Sequence, residues 1–452
     1  HAHVLTLDQN SREKKMQRTQ LASLIAGLCL AIDAQAMSLL EAFNAALAYD
    51  SQLASARGAR DAAREKSTQG FAGLLPSITA TGNVNRINAH VMTTGIDRTV
   101  DYTQQIYQLQ LRQPIYNQNN LDIYEQSKLQ VTAGEIQFEQ AKNDLALRVA
   151  QAYFDVLAAQ DTISFIRAQK SAIAEQLESA KRNFEVGTAT ITDTHEAQAR
   201  FDLALAQEIA AQNDLEVKRN AFAVVTGQLP PELHNLRSSV KLRSPEPASM
   251  DKWVQSAEAS NFGVVAQALL ADIAKLEIQR NRAGHLPTLD AVAAQSQRKD
   301  LTLTNPTTTN TSSFGLQLTI PLFAGFSTTS KIREAIALEN QARADLDTAK
   351  RTAAQSARAA FLGVQSGLSQ IRALEAAEVS SNSSLESNKL GYEVGVRINI
   401  DVLNAQQQLY STRRDLAKAR YDTLVNSLRL KAAAGTLGEV DLAELNALLE
   451  AR

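Results

Sequence analysis

Few side chains in this chain are placed for bond-making chemistry. Asp193-Thr194-His195 offers an acid, a hydroxyl and a base, but adjacent residues at a helix start do not converge on one substrate atom. His195, His234 and His285 lack a Cys, His or acidic partner at ligand spacing, so no metal site is expected. No Gly-rich phosphate loop, nucleophile elbow or HExxH pattern occurs. Cys29 is the only cysteine, which leaves no disulfide framework to build on. The residues predict no enzyme and no cofactor.

What stands out instead is a recurrence. Phe184–Gln198 reads FEVGTATITDTHEAQ, and Tyr392–Gln406, 208 positions later, reads YEVGVRINIDVLNAQ. They agree at Glu185/Glu393, Val186/Val394, Gly187/Gly395, Asp193/Asp401, Ala197/Ala405 and Gln198/Gln406. Each closes one long amphipathic segment and opens another. A Gly suits the left-handed backbone just past a helix end, and an Asp a few residues on suits a helix start. Two helix–tight turn–helix units are therefore expected, and the remaining elements must explain what stands at their other ends.

The 452 residues carry only 5% aromatics and one Trp, which favours long, closely approaching helices over a compact aromatic core. A formal charge of −2 gives no electrostatic footprint for nucleic acid. Met16-Gln17-Arg18, the apolar run Leu21–Ile32 and Ala34-Gln35-Ala36 together describe a secretory signal peptide. Cleavage is expected after Ala36, with residues 1–15 lying upstream of the initiator. Cys29 follows the bulky Leu28, where a lipoprotein site wants a small residue.

Residues 38–73 hold apolar positions at helical spacing, with a break near Asp50-Ser51, and stop at Gly73-Leu74-Leu75-Pro76. Past Pro76 the period becomes two. Ile78, Ala80, Gly82 and Val84 alternate with Thr and Asn, and Tyr107/Leu109/Leu111 alternate with Ile106/Gln108/Gln110. A β-hairpin is expected over 77–113, with strands of about 10–12 residues, the length of a tilted membrane strand; a soluble hairpin would show the same alternation. Pro114 opens a helix over 118–184 whose apolar positions, from Leu145 through Val156, Ile163, Ile173 and Leu177 to Phe184, follow a heptad seam that only Lys170 interrupts. At ~1.5 Å per residue it would run about 100 Å. A second helix over 193–226 returns to Gly227. The stretch 228–250 holds four of the nine prolines and links the halves. The same order then recurs over 251–438: a helix over 251–283 stopped by Gly284-His285-Leu286-Pro287, a hairpin over 288–320, and long helices over 328–390 and 400–434, with a tail over 439–452.

Four strands per chain cannot close in lipid, where an open edge costs several kcal/mol per unpaired group. A membrane role therefore requires oligomerisation, and the expected fold is α+β: four strands contributed to an oligomeric transmembrane β-barrel continued by an antiparallel α-helical coiled-coil barrel, built from two internal repeats. An exported barrel on a helical tube is a conduit. A periplasmic coiled-coil scaffold without a pore is the contrasting reading, against which the alternating strands weigh.

This order, the strand-flanking prolines, Gly391–Gly395, Asp401–Gln406 and the segment Tyr392–Leu437 resemble the TolC family of outer-membrane channels across essentially the whole chain past Ala36. The resemblance implies a homotrimer with a twelve-stranded barrel in the outer membrane and a long periplasmic tunnel. It also implies docking to a periplasmic adaptor and, through it, to an inner-membrane transporter. Family latch positions match Thr192, Asp193, Tyr392 and Arg397, a Tyr and an Arg facing a Thr-Asp pair through charge-assisted bonds strong enough to hold and open to competition. Capping of the helix by Asp193 alone is the plainer account. In the family two carboxylates line the narrow aperture. Here Asp401 matches the first and Asn404 replaces the second, so a trimer carries three carboxylates there; Asp401 as an ordinary helix cap is the alternative. Val186, Gly187, Val394 and Gly395 match the adaptor-docking tips. The segment Tyr392–Leu437 looks more like the branch serving type I protein secretion with an ABC transporter than the branch serving proton-driven drug efflux.

Overall fold

The computed structural model describes residues 36–450 apart from 238–239, 241 and 303–305. The expected signal segment lies outside these residues. Helices α1 (Leu39–Tyr49) and α2 (Ser51–Ala72) lead to strands β1 (Ser77–Thr93) and β2 (Ile96–Tyr116), then to α3 (Gln118–Glu185) and α4 (Ile191–Thr226). After the short strand β3 (Asn235–Leu236) come α5 (Met250–Ser260), α6 (Phe262–Arg282), β4 (Thr288–Leu301), β5 (Thr307–Thr319), α7 (Ser327–Glu393) and α8 (Asn399–Ala433). The chain closes with α9 (Glu439–Asn446) and β6 (Leu449–Glu450).

The long helices α3 and α7 have 68 and 67 residues, rods of about 100 Å. Each is covered by two shorter helices in succession. On α3, Arg64 and Gly70 of α2 meet Glu135 and Ser127, while Lys218 and Glu208 of α4 meet Asp155 and Lys170. Helices α6 and α8 divide α7 in the same way. The expected seam is buried from Leu145 to Ala180 and frays at Phe184. Small residues let the backbones close up: a methyl on Gly134 would stand 2.5 Å from the Ala63 methyl.

The short helices break where one hands over to the next. Asp50 ends α1 and caps α2 through Leu53 N–H at 2.7 Å, while Arg148 grips its carboxylate at 2.9 and 3.0 Å. Burial works against this carboxylate, yet the Arg148 and Leu53 bonds outweigh it and hold Asp50 below the ordinary range. Asn261 caps α6 in the other half, so the helix expected over 251–283 is two helices. Gly227 and Gly435, both at positive φ, end α4 and α8 against these breaks. A Cβ on Gly435 would lie 2.1 Å from the Ser260 carbonyl oxygen, and one on Gly227 would lie 2.5 Å from the Tyr49 ring.

The main core sits at this level, where Leu39, Phe43, Tyr153, Phe154, Phe222 and Leu428 pack together. Tyr153 is fully buried, with its hydroxyl 2.9 Å from the Met37 carbonyl and 3.1 Å from that of His234. Burial pushes its phenol well above the ordinary value. The linker and the C-terminal tail meet here as well, through the antiparallel pair β3–β6.

The four long strands form one antiparallel sheet in the order β1-β2-β4-β5. Ile78, Leu111, Ala293 and Phe314 fall in one register row and share one apolar face. The other face carries Gln104, which bonds Asp300 at 3.0 Å, and Arg112, which pairs with the buried Asp290 at 2.6 Å. Strands β1 and β2 run 17 and 21 residues, longer than expected. The reason is a switch of faces. Beyond Asn85, Arg86 and His90 occupy the face that Ile78 to Val84 hold lower down, and they pair with Asp101 and Asp97. Strands β1 and β5 are each paired on one side only among the described residues. No helix among them is long and apolar enough to cross a membrane.

Candidate gating site at the helix tips

The two recurring segments form turns with the same backbone. In the first, Val186 N–H bonds Arg182 O, Gly187 N–H bonds Phe184 O, and Thr188 and Ala189 N–H both bond Asn183 O. In the second, Val394, Gly395, Val396 and Arg397 N–H bond Leu390, Tyr392 and, twice, Gly391 O in the same order. Gly187 (φ 81°) and Gly395 (φ 78°) provide the left-handed residue that ends each helix. A side chain at either would meet open space, so the backbone angle alone asks for glycine. Val186 and Val396 project outwards, 72% and 79% exposed, and Val394 and Ile398 are exposed beside them.

The restarting helices differ. Thr190 caps α4, accepting from Asp193 N–H, while the Asp193 carboxylate takes the Thr190 N–H at 2.9 Å and its hydroxyl at 2.8 Å. Ile398 stands at the matching position of α8 and has no side chain for this. Asp401 is thus the third residue of α8 rather than its cap, and its carboxylate turns to Arg397 at 3.7 Å.

Asp193, Tyr392 and Arg397 line one cleft of about 950 Å³ between the two tips, but within a protomer they do not bond to one another. The Tyr392 hydroxyl accepts from Asn183 Nδ2 at 3.1 Å, which leaves its own proton unused among the described residues. Thr192 is exposed beside Asp193, and among the described residues no hydrogen bond joins it to Arg397, which turns to Asp401 instead. The capping box explains Asp193: Thr190 already holds its carboxylate. Asn404 Oδ1 accepts from Arg200 Nη2 at 3.0 Å, and Gln407 Oε1 from Arg200 Nη1 at 2.7 Å, which ties α4 to α8.

The tips are also held by amides that the sequence reading missed. Gln176 Nε2 donates to Asn399 Oδ1 at 2.6 Å, and Asn399 Nδ2 donates to the Asp193 carbonyl at 3.2 Å. One signal was available. Asn399 matches Ile191 of the first copy, and it is a polar residue set between Ile398 and Ile400.

Further up the rods, Lys170 and Arg167 of α3 both reach Glu208 of α4, at 2.5 and 2.9 Å. The bonds from Lys170 and then Arg167 hold the Glu208 carboxyl below its ordinary value. At the matching positions of α7 stand Glu378 and Glu375, paired with Arg413 and Arg420 of α8, each at 2.9 Å. The charges on the long helix are thus reversed between the halves, but the contacts differ: one Glu208 takes two cations in the first, while Leu416 stands at its counterpart in the second and two separate pairs form beside it. Among the described residues no group of His, Cys, Asp and Glu gathers to hold a metal.

A sheet of four amphipathic strands set on two ~100 Å rods, with tips closed by turns and bonded to each other, defines a channel subunit. The chain belongs to the Outer membrane efflux protein family, whose model matches residues 42–228 and 253–436, and it is a TolC-family channel protein of the outer membrane. It is 34% identical over 429 residues to the outer membrane protein TolC of Vibrio cholerae, covering 92% of this chain and 94% of that one. It is 33% identical over 452 residues to the proteases secretion protein PrtF of Dickeya chrysanthemi, covering 96% and 95%. The crystal structure of the outer membrane protein VceC from Vibrio cholerae shares the fold, with a TM-score of 0.75 at 17% identity over 88% of this chain and 96% of that one. The family and these neighbours are channel proteins, not enzymes.

Proposed function

We propose that the chain is the trimeric exit duct of a type I protein secretion system, carrying substrate from an inner-membrane transporter and its periplasmic adaptor to the exterior. The observation that carries a duct is the sheet itself: its apolar outer row and its polar inner face with Arg112–Asp290 suit lipid on one side and water on the other, and its unpaired edges call for further copies. Three copies give twelve strands, enough for an open lumen. The rods with their two repeats then form the tunnel, and the tips are its periplasmic gate. Tyr392 and Arg397 of one copy reach Thr192 and Asp193 of the next, using the free Tyr392 hydroxyl proton. Asp401 lines the aperture next to Asn404, and the exposed Val186 and Val394 beside Gly187 and Gly395 receive the adaptor.

Full-length similarity to a proteases secretion protein supports the secretion reading, while the family's description as efflux proteins keeps small-molecule efflux as the second. Complementation separates them. In a strain whose protease exporter lacks its outer-membrane component, this chain should restore protease to the medium; recovery of drug resistance alone would favour efflux.

A further inference from the structure

We infer that Asn399 is an internal latch that holds the two helix tips of one protomer together without charge. It occupies the first position of α8, is fully buried, and bridges to both helices of the other pair: it accepts from Gln176 of α3 and donates to the Asp193 carbonyl of α4. No other side chain at the tips bonds both α3 and α4 among the described residues. The first copy has Ile191 in its place, so the bridge is no requirement of the turn. A buried amide that loses its partners must be rehydrated or left unsatisfied, which makes the bridge all-or-none. Asn399 is thus a positioning residue of the gate. It frees Arg397 and the Tyr392 proton for contacts between copies, and the inference rests on the channel reading above.

The test is resting conductance of purified full-length trimers in planar bilayers, with heat-resistant trimer on gels as the assembly control. Asn399→Ala should raise open occupancy roughly five- to thirtyfold, and Gln176→Leu should do the same from the other side should the first variant fail to assemble. Asn399→Asp is the sharper probe. Protonated, the new carboxyl still accepts from Gln176 and donates to the Asp193 carbonyl; ionised, it sets a buried carboxylate against that oxygen. Glu175, Asp193, Lys389, Glu393 and Arg397 share the cleft, so the wild-type pH profile serves as the baseline. The Asn399→Asp trimer should be closed near pH 5 and open progressively towards pH 8 relative to it, because burial raises a carboxyl's pKa. Wild-type conductance in both Asn399→Ala and Gln176→Leu, or an Asn399→Asp profile that superposes on wild type, overturns the latch. Failure of Tyr392→Phe/Arg397→Ser to open the pore, with Asn399→Ala opening it, would sink only the charged latch. A chain that never conducts would sink the channel reading.

Discussion

The turns at Gly187 and Gly395 share a hydrogen-bonded backbone and differ in most of the side chains that leave it. Asn183-Phe184 in the first is Gly391-Tyr392 in the second, and the Asn of one bonds the hydroxyl of the other at 3.1 Å. Ile398 stands in the second turn where Thr190 stands in the first, so the first restarting helix has a side-chain cap and the second has none. Gly391 has room for no side chain, because a Cβ would lie 2.6 Å from Arg397 Cγ. The backbone is what two helices need to reverse; the side chains differ between the tips, and on the proposed latch the second tip reaches and the first receives. A sequence match at Glu, Val, Gly, Asp, Ala and Gln reports the first property and is silent on the second.

The comparison can be broken at Asp401. Its first-copy counterpart Asp193 is tied up in a capping box, whereas the Asp401 carboxylate pairs only with Arg397, at 3.7 Å, among the described residues; on the proposed reading it lines the aperture. Asp401→Ala should abolish most of the cation preference in single-channel reversal potentials. On the proposed trimer, Asn404 leaves three carboxylates at the aperture, so wild type should also be blocked more weakly by multivalent cations than a six-carboxylate relative. Unchanged ion selectivity in Asp401→Ala would remove it from the aperture.

It can be sharpened by exchanging the caps. Ile398→Thr places a hydroxyl where Thr190 stands, completes a capping box with Asp401, and should stabilise the start of α8 by about 0.5–2 kcal/mol. Thr190→Ala should cost the start of α4 a similar amount. Amide exchange in the first turn of each helix measures both, and opposite signs are expected.

A smaller difference concerns acid. Glu208 has a lowered folded value, so its contribution is present above its ordinary value of about 4.5 and is lost as pH falls through the folded one. Acidification below pH 4.5 should therefore loosen the α3–α4 clamp, and Glu208→Gln should flatten that part of the profile. Amide exchange across 163–173 and 204–212 reads it.

Much of this was legible in the chain. The heptad seam of α3, the break at Asp50 and the prolines at the strand ends are local signals, and local signals set these elements. Lys170 stood out as a defect in the seam, but its partner Glu208 lies on another helix and no spacing rule reaches it. The break at Asn261 was hidden because Ser260-Asn261-Phe262 holds no Gly or Pro, although an Asn is a good cap. Strand lengths were underread because the apolar face of β1 gives way to Arg86 and His90, which ends the alternation without ending the strand. The β3–β6 pair joins residues more than 200 positions apart through two-residue strands, too short to carry a period. The latch residues were named by resemblance, but the amides that hold one protomer's tips belong to this chain's own departures between its two copies.

The most direct measurement is the resting conductance of the Tyr392→Phe/Arg397→Ser trimer in a planar bilayer. If the second tip reaches and the first receives, the pore should pass from nearly closed to several-fold higher conductance at rest, with trimer stability on gels intact. Conductance equal to wild type would contradict that division of roles and leave the paired motifs as helix turns alone.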